Sequence, residues 1–186
     1  TATANHPFRT VQGWLRLDEL SVGTRIATPR RLGAPEQLLS VPADQLGQFA
    51  ESSKSAGAVD PAVFTLPDAQ LAVVLADLFG SIGSLGLGEL RGRPLVRLTA
   101  TSSSRQLIDD LQLLLLRFGI LSRITNIGPN KPRWRLWIHG AEHQHRFLSR
   151  IGVSGDRGAC TADAIQALSS VTSNPNVDTI PAEVPD

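Results

Sequence analysis

The sequence has no methionine, no tyrosine and a single cysteine among its 186 residues. A lone cysteine cannot form an intramolecular disulfide or a cysteine-based zinc site, so we expect a cytoplasmic setting. Apolar runs such as residues 113–116 are far too short to span a bilayer, and no signal-peptide pattern opens the chain. We therefore expect no membrane partner. Because translation starts with methionine, we also expect the chain to be part of a longer product.

The net charge of +1 hides a strong asymmetry. Residues 91–160 carry twelve Arg and Lys side chains against four acids, which gives this stretch a charge of +8. A concentrated positive block is typical of proteins that bind phosphate-bearing partners such as nucleic acids. An arginine-rich surface that serves only solubility is the alternative.

Three segments differ in composition. Residues 1–32 combine turn residues with short alternating stretches, which favours β structure. Residues 33–67 are rich in Ala, Gly, Ser, Pro and Gln and are interpreted as a connector, with a short helix at 43–50. From residue 67 onward the apolar periodicity becomes regular.

This third segment predicts an α+β domain. Asp109 and Asp110 are expected on the solvated side of its second helix. A further helix is expected near 161–170. The predicted elements are a helix after Pro67, strands near 85–90 and at 94–101, a helix ended by Gly119, strands at 120–127 and 133–139, and a helix at 142–150.

Alternation along two of these strands places basic and aromatic side chains together on one face. Arginine can bond guanine edges or phosphates, so this face is predicted to contact double-stranded DNA. A half-exposed sheet covered by arginines for solubility is the alternative. The predicted DNA-binding residues are Arg93, Arg97, Arg133, Arg135, Trp137 and His139.

The first segment carries the run Thr3-Ala4-Asn5-His6, followed by Gly13-Trp14 and by Ile26 after Gly23. These features resemble the Thr-x-x-His block of inteins, the self-splicing Hint modules. The resemblance implies that His6 bonds the scissile amide at the upstream splice junction and that Thr3 helps to polarise it. An isolated histidine before a proline would otherwise be a turn residue.

Splicing also needs a Cys or Ser nucleophile at the upstream junction and a His-Asn pair before a downstream nucleophile. Thr1 lies too close to His6 to be that nucleophile, and residues 182–186 contain no such pair. We therefore expect that the chain as given does not splice.

Residues 75–83, Leu-Ala-Asp-Leu-Phe-Gly-Ser-Ile-Gly, resemble a degenerate LAGLIDADG motif. Inteins frequently contain homing endonuclease domains of this family. The resemblance implies a saddle with the order αββαββα, in which two motif helices pack side by side. It also implies that a carboxylate at each helix end holds Mg²⁺ for cleavage of double-stranded DNA.

The motif departs from the family at the position that matters most for this chemistry. Ile82 stands where the metal-binding carboxylate is expected, and Asp77 stands where the motif has a glycine. Gly80 and Gly83 complete the degenerate motif, and no second copy is visible. We therefore name no metal ligand, and we expect a cleavage-deficient copy of an endonuclease.

The predicted organisation has four parts. A partial Hint segment at 1–35 and a linker at 36–60 precede a LAGLIDADG-like domain at 61–158, and a helix with an extended tail follows at 159–186. Within the tail, residues 174–181 resemble a stretch in inteins of bacterial replicative DNA helicases, which suggests such a host. A DNA-binding module without enzymatic activity and an inactive intein remnant remain alternatives, and homodimerisation stays open.

Overall fold

The computed structural model describes residues 2–90, 92–128, 131–169 and 171. The described chain divides into two compact units, residues 2–29 and residues 30–171. No helix in the described part of the chain is both long enough and apolar enough to cross a membrane.

The smaller unit is a β-hairpin with a short extension. β1 (Pro7–Thr10) pairs antiparallel with β2 (Gly13–Arg16), and Thr10 also bridges to Ile26. Gly13 has φ of +123°, a backbone conformation that favours glycine at this turn. Thr10 is the only buried residue among those described here, so this unit has little core of its own.

The larger unit contains the predicted order αββαββα, with one helix before it and one after it, and the α+β fold class is confirmed. Its strands form one antiparallel sheet in the order β3-β4-β6-β5. The elements are α1 (Ala43–Ala56), α2 (Asp68–Ile82), β3 (Gly83–Leu90), β4 (Arg93–Ser102), α3 (Arg105–Leu115), β5 (Ser122–Asn126), β6 (Trp134–Ile138), α4 (Ala141–Arg150) and α5 (Thr161–Ser169).

Local sequence signals explain where α2 and α3 begin and end. Pro67 precedes α2 at a position where a missing N–H costs nothing. The Ser104 hydroxyl caps α3 by accepting from the Leu107 N–H at 3.3 Å. After α3 and one further 3-10 turn, Gly119 ends the helical segment, and its φ of +67° is a left-handed conformation that favours glycine.

The core lies between the helices and one face of the sheet, which we call the inner face. Val96, Leu98 and Ala100 of β4 and Leu136 and Ile138 of β6 are buried on it. Alternation sends the residues between them to the opposite, outer face.

Residues 36–60 differ from the predicted linker. α1 buries Leu46, Ala50 and Ser53 against the rest of the larger unit, and the Leu32 N–H donates to the Leu116 carbonyl oxygen at 3.0 Å. The predicted short helix at 43–50 is present but extends to Ala56, and the small and polar composition of this stretch gave no sign that residues 46, 50 and 53 would be buried.

α5 also packs into this unit, because Ala164 and Leu168 are buried. It was predicted as part of a separate terminal segment. Residues 172–186, including the stretch at 174–181, lie outside the described residues.

One predicted surface acid is buried. Asp109 is partly exposed and pairs with Arg105, as expected for a solvated face. Asp110 is 9% exposed and accepts hydrogen bonds from the Val59 N–H at 2.9 Å and the Gln106 amide at 2.8 Å. The reason is that residues 57–60, which follow α1, cover this side of α3.

Candidate nucleic-acid interface

The outer face of the sheet brings together side chains from β4 and β6. Thr99 stands opposite Trp137, and Thr101 stands opposite Arg135. Arg97, two residues before Thr99, shares their face and is exposed. Directly opposed residues on one face have their side chains in contact range, so these residues form one surface.

Trp137 is the centre of this surface. The Arg135 guanidinium carbon lies 5.1 Å from the centre of the Trp137 ring. The His139 ring stacks on the same indole with centroids 5.7 Å apart. The indole N–H donates to the Thr125 hydroxyl at 3.2 Å, which fixes the ring orientation. A half-buried aromatic ring held in this way, with a cation beside it, is suited to contact a nucleotide.

Arg123 is an outer-face residue that the sequence analysis missed. It lies on β5 directly opposite Trp137 and is exposed. The signal was present, because Arg123 and Thr125 alternate with the core-packed Ile124. We name the set Arg97, Arg123, Arg135 and Trp137 the outer-face cluster.

The other predicted DNA-binding residues lie at the margins of this cluster. Arg133 and His139 are exposed and flank β6, which is shorter than the predicted strand by one residue at each end. Arg93 lies in β4 opposite Leu90, and its side chain lies outside the described part of the structure.

The arginines of the outer-face cluster carry uncompensated charge. No ion pair within the described residues includes Arg97, Arg123 or Arg135. The Arg135 Nε–H is buried without a hydrogen-bond acceptor among the described residues. By contrast Arg105, on the inner side of the sheet, pairs with Asp109 and covers Trp134. The outer face therefore has free capacity for anionic ligands.

The degenerate motif occupies the C-terminal half of α2. Ile82 is the last residue of α2 and packs against the core, and the buried Gly83 caps the helix. Asp77 is half-buried and lies five residues before Ile82, about 140° around the helix axis. The two side chains therefore point in different directions.

Gly80 lies where the loop after α4 crosses α2. The Ser154 N–H donates to the Ala76 carbonyl oxygen at 3.1 Å. A Cβ atom at Gly80 would lie 2.7 Å from the Ser154 carbonyl oxygen, so only glycine permits this approach. The chain's own loop thus covers part of the small-residue face of α2.

These residues do not fit a divalent cation bound by a motif carboxylate. Ile82 has no oxygen to donate, and the side chain of Asp77 points elsewhere on the helix. Within the described residues, no group of three His, Cys, Asp or Glu side chains is placed to hold a metal ion.

Thr3 and His6 meet in a turn of the smaller unit. The His6 N–H donates to the Thr3 carbonyl oxygen at 2.9 Å, and both side chains are exposed. The Leu17 N–H donates to the His6 carbonyl oxygen at 2.9 Å, which ties the turn to the end of β2. The His6 ring contacts Phe8 edge-on, with centroids 5.1 Å apart.

Comparison with known proteins identifies the family of the larger unit. Residues 69–152 match the family model described as a LAGLIDADG-like domain. The chain contains a LAGLIDADG-like domain. The match runs from the first turn of α2 to just past α4, and so it includes the whole αββαββα order. The predicted resemblance to this family is therefore confirmed.

Proteins with different names contain segments similar to this chain. The probable translation initiation factor IF-2 of Pyrococcus furiosus is 32% identical over 170 residues, which cover 89% of this chain and 16% of that protein. The replicative DNA helicase DnaB of Rhodothermus marinus is 27% identical over 264 positions, covering 97% of this chain and 28% of the helicase. DnaB of Synechocystis is 26% identical, covering 98% of this chain and 30% of the helicase.

The chain thus spans only about a sixth to three tenths of the length of these relatives. The alignment with the Rhodothermus helicase is longer than the chain itself by at least 264 − 186 = 78 positions. That helicase therefore carries internal residues that have no counterpart here.

Proposed function

We propose that this chain is an intein-encoded DNA-binding region of the LAGLIDADG homing endonuclease type, and that its cleavage activity has been lost. The observation that carries the proposal is the outer-face cluster, whose arginines surround a fixed tryptophan and lack ion-pair partners among the described residues. Double-stranded DNA is the expected ligand, because phosphate oxygens pair with arginine and base edges lie within its reach.

The names of the relatives support an intein origin. A translation initiation factor and a replicative helicase have different activities, yet nearly the whole of this chain aligns with a minor part of each. A segment shared in this way behaves as an insertion and not as part of either host activity. Inteins are insertions of this kind, and a replicative DNA helicase is the proposed host.

Binding can be measured by fluorescence anisotropy on a duplex that spans the insertion point in an intein-less replicative helicase gene. We expect salt-sensitive binding, with a logarithmic slope against salt that becomes shallower when Arg133 and Arg135 are both replaced by alanine. Arg105→Ala, which removes the same kind of charge from the inner side, is the control. Unchanged affinity and slope in the double variant would show that the outer face is not the binding surface.

Cleavage is tested with the same duplex in the presence of Mg²⁺. We expect no double-strand cut, because Ile82 supplies no metal ligand at the end of α2. A Mg²⁺-dependent cut by the purified chain would refute the proposed loss of activity.

The smaller unit supports a second candidate function, in protein splicing. The turn that joins Thr3 to His6 presents both side chains to solvent, where an upstream junction could reach them. We propose that they act as the Thr-x-x-His block of a Hint module in a longer product. Expression of the coding frame with both of its natural flanks should yield ligated flanks, and His6→Ala should abolish them.

An inactive intein remnant is the competing interpretation. It predicts poor folding, because the β-hairpin of the smaller unit has little core. A single cooperative thermal transition that includes both units would argue against it.

A homodimer built on α2 would require the loop at 151–155 to move, since Ser154 already bonds Ala76. We therefore propose that the chain binds DNA as a monomer. Sedimentation with and without the duplex distinguishes the two states.

A further inference from the structure

Arg157 is fixed against the C-terminal end of α2. It belongs to the short 3-10 turn Asp156–Gly158, and its Nη1 donates to the carbonyl oxygens of Ser81 at 2.6 Å and Gly83 at 2.7 Å. Carbonyl groups at a helix C-terminus lack helical partners and carry the negative end of the helix dipole. These two hydrogen bonds and the helix dipole therefore hold the Arg157 guanidinium at the end of α2.

Only part of the guanidinium is used by these contacts. Arginine has five N–H donors in a planar fork, and the two hydrogen bonds that the Arg157 side chain donates among the described residues both start from Nη1. Within the described residues, no carboxylate forms an ion pair with Arg157. The Nη2 and Nε donors are thus available to a ligand.

Arg157 shares a surface depression with a second cation. The depression is lined by Ile82, Ser84, Thr101, Arg133 and Arg157, and its other described lining residues are uncharged. Ser84 and Thr101 supply hydroxyl donors beside the two guanidinium groups. Two arginines, three hydroxyl-bearing residues (Ser81, Ser84 and Thr101) and no acid among the described lining residues make a site that favours an anion.

The depression continues the outer face of the sheet. Thr101 stands opposite Arg135, and Ser84 stands opposite Thr99, so both hydroxyls lie on the outer-face side of their strands. A ligand that extends along Arg135 and Trp137 can therefore reach the end of α2 without leaving this face.

We propose that the depression at the end of α2 binds one backbone phosphate of the DNA duplex, with Arg157 and Arg133 as its cations. This inference rests on the proposed function, because the duplex is what delivers the phosphate. The site carries its own positive charge and needs no divalent cation. Chelation of Mg²⁺ should therefore leave affinity unchanged, and added Mg²⁺ should weaken it by competing for the phosphate.

The test compares Arg157→Gln with Arg150→Gln in the full chain. Arg150 is exposed at the end of α4, outside the depression, so its replacement removes the same charge elsewhere. Loss of one phosphate contact should reduce the slope of log affinity against log salt by about 0.9. We expect this reduction for Arg157→Gln and not for Arg150→Gln.

Arg157→Gln also leaves two helix-end carbonyls without their donor, so its thermal transition is measured alongside. If this variant does not fold, Arg133→Gln tests the same depression, because no hydrogen bond among the described residues uses the Arg133 side chain. Arg157→Lys keeps the charge and should retain most of the salt slope.

The outcomes separate this inference from the proposed function. If the wild-type chain does not bind the duplex, the proposed function fails, and this inference fails with it. If binding depends on Arg135 but the salt slope is the same in Arg157→Gln, Arg133→Gln and wild type, only the phosphate site is refuted. A separate measurement with inorganic phosphate tests whether the site binds free phosphate and not DNA. If phosphate raises the thermal transition of wild type but not of Arg157→Gln, with the DNA slopes equal, the site serves free phosphate and the DNA assignment is overturned.

Discussion

The Asp110 carboxylate accepts a hydrogen bond from the Val59 backbone N–H, with the two atoms 2.9 Å apart. This contact joins α3 to the segment that leaves α1, across 51 positions of sequence. Both residues are buried, so the carboxylate has exchanged water for this N–H and for the Gln106 amide. The segment after α1 is therefore fastened to the domain.

Replacing Asp110 tests how much this hydrogen-bonded attachment contributes to the free energy of unfolding. Asp110→Ala leaves a buried N–H without a partner, which costs about 1–3 kcal/mol in the free energy of unfolding. Asp109→Ala is the matched control, because Asp109 forms only a surface ion pair with Arg105 and should cost about 0–1 kcal/mol. Urea unfolding measures both. Equal losses in the two variants would contradict the structural role of Asp110.

Two helical glycines should respond in opposite ways to alanine. Gly80→Ala forces a Cβ against the Ser154 backbone, and such overpacking costs about 1–3 kcal/mol in the free energy of unfolding. Gly47→Ala, in α1, meets no atom within 4 Å and should stabilise the fold by about 0.5–1 kcal/mol. Urea unfolding of both variants checks the prediction. A stabilising Gly80→Ala would show that the loop does not lie against α2 in solution.

His143 should make stability depend on pH. Burial lowers the pKa of His143 below its ordinary value of 6.5; Glu142 opposes this, while Arg146 and Arg30 reinforce it. The unfolded chain therefore binds the proton at a higher pH than the native chain does. As the pH falls below about 6.5, the unfolded state takes up more protons and the free energy of unfolding decreases, until the pH passes the lowered native pKa.

The variant His143→Gln should lack this contribution. Its free energy of unfolding should fall less than that of wild type between neutral pH and about pH 5. His145→Gln, with an exposed ring on the same helix, is the comparison. An identical pH dependence in wild type and His143→Gln would exclude the effect.

Arg123 provides a test of the binding surface that the sequence did not suggest. Arg123→Ala should weaken duplex binding and reduce the salt slope by about 0.9, because the residue lies exposed beside Trp137. Arg105→Ala should not change the slope. Anisotropy titrations at several salt concentrations give both values. If Arg123→Ala has the same slope of log affinity against log salt as wild type, the DNA-binding surface is restricted to β4 and β6.

The sequence predicted the helices and strands of the domain well, because each follows a local rule. Ser104 caps α3, Gly119 ends the helical segment, and alternation in β6 separates Leu136 from Arg135 and Trp137. The resemblance of residues 75–83 to the family motif was also recognisable from the sequence, and the match over residues 69–152 confirms the family.

What the sequence could not reveal depends on contacts between distant segments. α1 has a mean composition like that of a linker, and only its packing on α2 shows that Leu46 and Ala50 belong to the core. Asp110 looks like a surface acid until Val59 is placed beside it. Arg157 lies 74 positions from Gly83, and no local pattern predicts that the two meet.

β3 forms one edge of the four-stranded sheet, and its last four residues are exposed. Leu87 and Leu90 on this stretch are 43% and 60% exposed, and Glu89 is its one charged residue. A bare strand edge with exposed leucines can pair with the same edge of another molecule. Concentrated samples should therefore aggregate through strand addition, and Leu87→Lys should raise their solubility.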